Sequence, residues 1–238
     1  MSALYIGTAG WTVPRVAAAQ FPIDGSQLAR YASVFSAVEI NSSFYRPHRP
    51  ATYARWADSV PASFRFAVKL PKEISHQRRL VDAAEPLDRF LAEATCLGGR
   101  LGPLLLQLPP SQRFDPVIAA RFFDLLRSRF TGDVVCEPRH ASWFADAPDA
   151  LLVAHRIARV AADPAKVPAG SEPGGWGGLN YLRLHGSPEI YRSSYDDAAL
   201  EAMAARLRAA TVPAWCIFDN TMLGAAALNA AALARRAC

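Results

Sequence analysis

Asn180-Tyr181-Leu182-Arg183-Leu184-His185 is the stretch whose reading decides the fold. Leu182 and Leu184 alternate with Arg183 and His185, which is the two-residue period of a strand rather than the 3.6-residue period of a helix. A charged face on an otherwise apolar strand needs polar company or water above it, because an unpaired buried charge is costly. Beyond a short loop, Asp196 and Asp197 open a helix that carries Leu200, Met203, Ala204 and Leu207 on one stripe. The unit is strand, loop, helix.

The same unit recurs on both sides. Apolar, β-rich runs are read at Leu4–Gly7, Ala37–Asn41, Phe64–Lys69, Pro103–Leu108, Asp133–Glu137, Arg159–Ala162, Asn180–His185 and Ala214–Asp219. Leu28, Tyr31, Ala32 and Phe35 follow the first run at helical spacing, and Leu87, Phe90, Leu91 and Ala94 follow the third, stopped by Gly98-Gly99. Asp115-Pro116 reads as an N-cap with proline in the first turn, ahead of Ile118, Phe122, Leu125 and Leu126. Shorter helices are read at Ala51–Ser59 and Pro148–Arg156, and a last one from about Met222 onward. Between the sixth and seventh runs, residues 164–178 hold three Pro and five Gly, so a loop stands in for the sixth helix.

Eight such units in 238 residues fit an α/β fold of the (β/α)8 TIM-like barrel type, which needs roughly 250 residues. An open doubly wound sheet is the alternative, but Gly7-Thr8-Ala9-Gly10 is not its G-x-G-x-x-G turn. The expectation is one barrel domain over residues 1–238, with no linker. Composition agrees: 51% hydrophobic and 20% charged residues exclude a disordered chain. No run approaches the roughly 18 apolar residues of a membrane span. Residues 1–7 lack the pattern of a secretion signal, so the expected location is cytoplasmic with no membrane partner. Cys96, Cys136, Cys216 and Cys238 are too dispersed for a disulfide framework or a cysteine zinc site. The net charge of +5 comes from 23 Arg and 3 Lys against 21 acidic residues, scattered without a basic run, so nucleic acid is weakly supported as a partner.

Strand parity then names a site. If the aliphatic residues face the helices, Glu39 and Asn41 on the second strand point to the barrel axis, as do Lys69, Gln107, Glu137 with Arg139, and Arg183 with His185. All lie at C-terminal strand ends, where barrel enzymes keep their chemistry. Two readings compete: a salt-bridged plug that fixes strand register, or a polar, slightly positive pocket for a small anionic or polyhydroxylated molecule. The second is preferred. Trp11, Tyr45 and Trp143 are candidates for an aromatic wall, and His140 for a base or phosphate contact. His76 is a similar but less securely placed candidate. Gly186 and Asn220 lie where barrels bind phosphate through backbone amides, although Asn220 could equally cap a helix.

These residues fall within seven ordered blocks. They are Gly7-Thr8-Ala9-Gly10-Trp11, Val38-Glu39-Ile40-Asn41-Ser42-Ser43-Phe44-Tyr45-Arg46, Phe66-Ala67-Val68-Lys69, Gln107-Leu108-Pro109-Pro110, Glu137-Pro138-Arg139-His140-Ala141-Ser142-Trp143, Leu182-Arg183-Leu184-His185-Gly186 and Asp219-Asn220-Thr221. Together they resemble the YecE-like family, domain of unknown function 72. The resemblance implies a (β/α)8 barrel, regular or distorted, and no assigned activity. Val13 to Ala19 is plainer than the aromatic-rich stretch the family has there, and Ser43 and Ser75 replace family threonines.

Three functions are weighed. The first is acid/base catalysis with Glu39 or Glu137 as base, Lys69 holding substrate or stabilising charge beside Arg139 and Arg183, and His185 shuttling a proton. A glycosidase form of this needs Glu39 and Glu137 on opposite sides of a bond. The second is metal-assisted hydrolysis of a phosphoester or nucleic acid, with Glu39, Glu137, Asp163 and His185 around Mn, Mg or Zn; nearby cations argue against it, and no metal ligand is assigned. The third is non-enzymatic binding of nucleic acid or a phosphometabolite. No cofactor is named by the pattern.

Overall fold

The computed structural model describes residues 2–237, so Met1 and Cys238 lie outside the described residues. Eight barrel strands are present: β1 (Leu4–Ala9), β2 (Ala37–Ile40), β3 (Arg65–Lys69), β4 (Leu101–Gln107), β5 (Val134–Glu137), β6 in two pieces (Ile157–Arg159 and Ala161–Asp163), β7 (Asn180–Leu184) and β8 (Ala214–Phe218). Successive strands pair in parallel, and β8 pairs back onto β1 with Leu4 opposite Ala214. The first piece of β6 pairs with β5 and the second with β7, so the ends of the sheet meet at Val160. Val160 still donates its amide to Cys136. A TIM-like barrel is therefore the architecture, with a break inside β6 and a register shift between Phe66 and Val68 where β3 pairs with β4.

Besides a single four-residue helical turn at Ser42–Tyr45, seven helices among the described residues surround it: α1 (Gln27–Ala32), α2 (Pro50–Asp58), α3 (Ala84–Ala94), α4 (Pro116–Arg129), α5 (Asp146–Ala154), α6 (Asp197–Arg208) and α7 (Ala225–Ala237). Asp115 caps α4 by accepting from the amides of Val117 and Ile118, and Asp196 caps α6 by accepting from Ala199. The expected stripes on α1 and α3 are buried throughout. On α4 the face is rotated: Phe123 is buried, while Ile118 and Leu125 are only partly so. The last helix begins at Ala225, after Gly224 turns the chain, rather than at Met222. No helix follows β6; a single short turn at Pro168–Ser171 and a two-residue antiparallel pairing of Gly174–Gly175 with β6 occupy the loop. No helix among the described residues is long and apolar enough to cross a membrane.

Two apolar layers result. Val38, Ile40, Phe66, Val68, Leu104, Leu106, Val134 and Cys136 pack outward under the helices. Ala37, Ala67, Leu105, Val135, Ala158, Tyr181, Trp215 and Ile217 fill the barrel interior. Trp215 stacks on Tyr181 with ring centroids 5.8 Å apart, and Gly102 makes room for it, since a Cβ there would stand 2.6 Å from the indole. Parity thus runs as the sequence implied, and the next inward residues are charged on β2, β3, β5, β7 and β8 (Glu39, Lys69, Glu137, Arg183 and Asp219) and polar on β4 (Gln107).

Candidate functional site

At the C-terminal mouth Arg183 sits on the axis, wholly buried, and holds three carboxylates. Its Nε and Nη2 grip Glu39 at 3.0 and 2.7 Å, Nη1 reaches Glu137 at 2.6 Å, and Nη2 also reaches Asp219 at 3.1 Å. Tyr181 donates its hydroxyl to Glu39 at 2.8 Å, and Gln107 donates to Glu137 at 2.9 Å. A planar guanidinium with five donors can grip one carboxylate with two of them and still reach two more, a fork that the three-donor ammonium of a lysine lacks. Burial by itself would raise the carboxyl pKa values of Glu137 and Asp219, but Arg183 and His185 hold both below the ordinary range.

Above this saturated centre lie groups that still have donors to give. His185 bonds through Nδ1 to Asp219 at 3.0 Å, while its Nε2 lies 3.3 Å from Glu137 without a hydrogen bond of good geometry. Burial would lower its pKa, but the two carboxylates carry it above the usual histidine value, so it holds a second proton more readily than a free imidazole. Arg139 donates Nε to Glu137 at 3.0 Å, and its terminal nitrogens have no protein partner among the described residues. Lys69 stands with Nζ 4.2 Å over the Phe44 ring, with no carboxylate at ion-pair distance among the described residues. Burial first, and then Arg183, push its ammonium down to about 8. Beside His185, Glu137 and Arg139 a cavity of about 180 Å³ opens, walled by Pro110, Pro138, Phe144, Val160, Ala162, Ile190 and Tyr191. Pro164, Ala165, Lys166 and Gly170, from the loop that replaces the sixth helix, complete it.

The structure therefore brings together Glu39, Lys69, Gln107, Glu137, Arg139, Arg183 and His185. Glu39 is fully buried with both oxygens engaged, so Glu137 and His185 are the titratable pair that borders the cavity. Asn41 directly follows β2 and leaves its Oδ1 buried without a partner among the described residues. Gly186 and Asn220 serve the loop above: the Gly186 amide donates to Tyr195 Oη, and Asn220 donates to Ser193 and Asn229. Gly186 adopts φ +93°, and a Cβ there would meet the Ser193 carbonyl at 2.9 Å. The three aromatics do not form one wall. Trp11 packs edge-on against Trp56, Tyr45 is 69% exposed, and Trp143 is buried with its indole donating to Gln112. His140 caps the Ala141–Trp143 turn by accepting from the Ser142 amide.

Asp163 does not join the others. It shares the outward parity of Ala161 and borders a separate recess with Ser187, Ser194 and Tyr195, so the four-ligand set for a metal does not converge. Among the described residues no group of three or more His, Cys, Asp or Glu is arranged to hold a metal ion. Sequence reasoning left Asp219, Tyr181, Lys166 and Tyr191 out of the site. β8 is apolar on both faces through Trp215-Cys216-Ile217-Phe218, so parity carried no signal there, although Asp219 continues the inward face of Trp215 and Ile217.

Comparison with known proteins agrees with this architecture. The model for the family described as "Protein of unknown function DUF72" matches residues 5–238. UPF0759 protein YecE of Escherichia coli K12 is 33% identical over 144 residues, covering 60% of this chain and 50% of that protein. UPF0759 protein YunF of Bacillus subtilis 168 is 28% identical over 163 residues, covering 59% and 52%. The matched region thus spans about half the length of these relatives. A DUF72 family crystal structure from Enterococcus faecalis V583 superposes with a TM-score of 0.81 at 19% identity, covering 98% of this chain and 95% of that one. One from Thermotoga maritima MSB8 does so at 0.79 with 23% identity, covering 98% of both. With the family model matching nearly its whole length and the same barrel in these solved structures, the chain belongs to the DUF72 family of proteins of unknown function.

Proposed function

We propose that the mouth binds a small anionic or polyhydroxylated molecule and acts on it by general acid/base chemistry, with His185 as the proton-transferring group. The observation that carries this reading is a surplus of donors. His185 Nε2, the terminal nitrogens of Arg139 and Lys69 Nζ lack protein acceptors, while every carboxylate of the ring is already engaged. Donors that converge without an acceptor suit an oxyanion or the negative charge that develops on one during reaction. Asp219 fixes the His185 ring through Nδ1, and Glu137 lies where it favours the imidazolium. Arg139 and Lys166 flank the same cavity and would hold the anionic group.

A glycosidase arrangement fits less well, because Glu39 and Glu137 are bound to one guanidinium rather than set apart on two sides of a bond. The test is a thermal-shift screen of carboxylates, organic phosphates, sugars and oligonucleotides on the wild type and on His185→Ala and Arg139→Met. A small anion should raise the wild-type Tm, and both variants should fold but lose about 1–3 kcal/mol of binding, the usual worth of a charge-assisted hydrogen bond. An oligonucleotide-only response, or variant shifts as large as those of the wild type, would discard the reading.

A further inference from the structure

We propose that Lys69 and His76, which both pack on Phe44, form a phosphate subsite on the β3 side of the mouth, so that the ligand is a small organic phosphate whose body lies in the cavity beside His185. This rests on the acid/base pocket read above and adds to it a ligand class and a second contact surface.

The two side chains come from separate segments and meet around Phe44. Lys69 ends β3 with Nζ 4.2 Å from the Phe44 centroid, and the His76 ring stands edge-on to the same phenyl at 4.9 Å. His76 is carried on the irregular turn Glu73–Gln77, where Arg78 donates its amide to Glu73 in a five-residue bond. Such π-type turns recur at functional sites because they aim one side chain off the regular helical path. Nδ1 of His76 bonds Ser75 Oγ at 2.9 Å, which fixes the ring and leaves Nε2 without a protein partner among the described residues. Arg79 adds a further positive charge nearby, its guanidinium held on Ser111. The acidic group of this turn, Glu73, is spent on Arg78 and Arg89. Burial and the charges of Lys69, Arg139 and Arg79 hold the His76 pKa below its ordinary value, the field expected of a site awaiting an anion.

Phosphate fits this field better than a carboxylate. It carries up to two charges and spreads its oxygens tetrahedrally, so donors arriving from different directions can each find one. Arg139 lines the cavity, and its charge is one of those that lower the His76 pKa. The cavity of about 180 Å³ is mostly apolar-walled, which suits a short organic body.

The test is an NMR pH titration of the histidine ring signals of the full chain, with and without inorganic phosphate, the assignments taken from His76→Ala and His185→Ala. Phosphate should raise the His76 pKa while His48, His140 and His155 stay in place. Lys69→Met should weaken phosphate about tenfold or more, and Lys69→Arg should keep most of the affinity. Glycerol phosphate should compete with inorganic phosphate and perturb His185 as well. If phosphate moves His185 and leaves His76 unchanged, the anion sits in the cavity; the subsite is then wrong while the acid/base pocket stands. Uniform movement of all five histidines would mark a bulk salt effect and also overturn the subsite. If neither His76 nor His185 responds, and the Tm screen finds no anion, both readings fall together.

Discussion

Two residues along each strand separate the floor of the barrel from its mouth. Ala37, Ala67, Leu105, Val135, Tyr181 and Ile217 pack the floor; Glu39, Lys69, Gln107, Glu137, Arg183 and Asp219 stand next on the same inward face. Pairing runs through both levels between β2 and β3, β4 and β5, and β7 and β8. The floor holds by volume and the mouth by ion pairing. Within the mouth a second contrast appears, between Arg183, whose donors serve three carboxylates, and Lys69, which has none in reach. The first arrangement secures the strands, and the second leaves charge to spend on a ligand.

The largest effect should come from dividing floor from mouth by pH. Arg183→Met strands three buried carboxylates and should cost about 3–5 kcal/mol at neutral pH. Trp215→Ala should cost a similar ~3–5 kcal/mol by leaving a cavity. Their acid responses should differ. In the wild type Glu137 and Asp219 have lowered folded pKa values, so the stability they contribute is present above the ordinary carboxylate range and lost as pH falls through the folded values. Trp215→Ala should retain that loss on acidification. Arg183→Met should not, because carboxylates without their cation titrate near or above the unfolded value, and protonation relieves them. Urea denaturation between pH 3 and pH 7, about the range over which carboxylates titrate, reads both. Parallel pH profiles in the two variants would erase the distinction between the levels.

Lys69 sharpens the second contrast with a smaller effect. Its folded pKa is pushed from 10.5 to about 8, so the folded chain binds fewer protons than the unfolded chain between those values. Stability from this group therefore rises with pH from about 8 to 10.5, and below that window a constant penalty remains. Lys69→Met removes the penalty and keeps the apolar stem. It should be as stable as the wild type at pH 7, or more stable by about 1 kcal/mol, and lack the alkaline rise. A loss above about 2 kcal/mol would place Lys69 among the groups that secure the strands.

How far the sequence reached follows from the same contrast. Where a strand mixes aliphatic and charged residues, as in Val38-Glu39-Ile40 or Leu182-Arg183-Leu184, alternation alone assigns the faces, and both were read correctly. β8 gave no such warning, and Asp219 was left out of the site although it bonds both Arg183 and His185. Parity also cannot report which partners a charge finds. Glu39 and Glu137 read alike, yet Glu39 is fully engaged by Arg183 and Tyr181 while Glu137 borders the cavity. Aromatics on loops were least legible, since Trp11, Tyr45 and Trp143 depend on tertiary packing that strand periodicity does not encode. The missing sixth helix was visible in its Pro and Gly content, but not that the replacing loop folds back to wall the cavity.

That loop supplies the smallest test. Lys166 is exposed and makes no ion pair among the described residues, so Lys166→Ala should change stability by no more than about 0.5 kcal/mol. Its worth, if it has one, must appear in binding. An exposed cation at the cavity rim acts through a screened field, so the substitution should weaken a small anion only about two- to fourfold at low salt, and less as salt is raised. Arg139, largely buried and aimed by Glu137, should show a larger loss that salt diminishes less. Titration calorimetry of the two variants at low and high salt separates rim from wall. Equal losses with equal salt dependence would mean that the loop in place of the sixth helix carries as much of the recognition as the strand ends do.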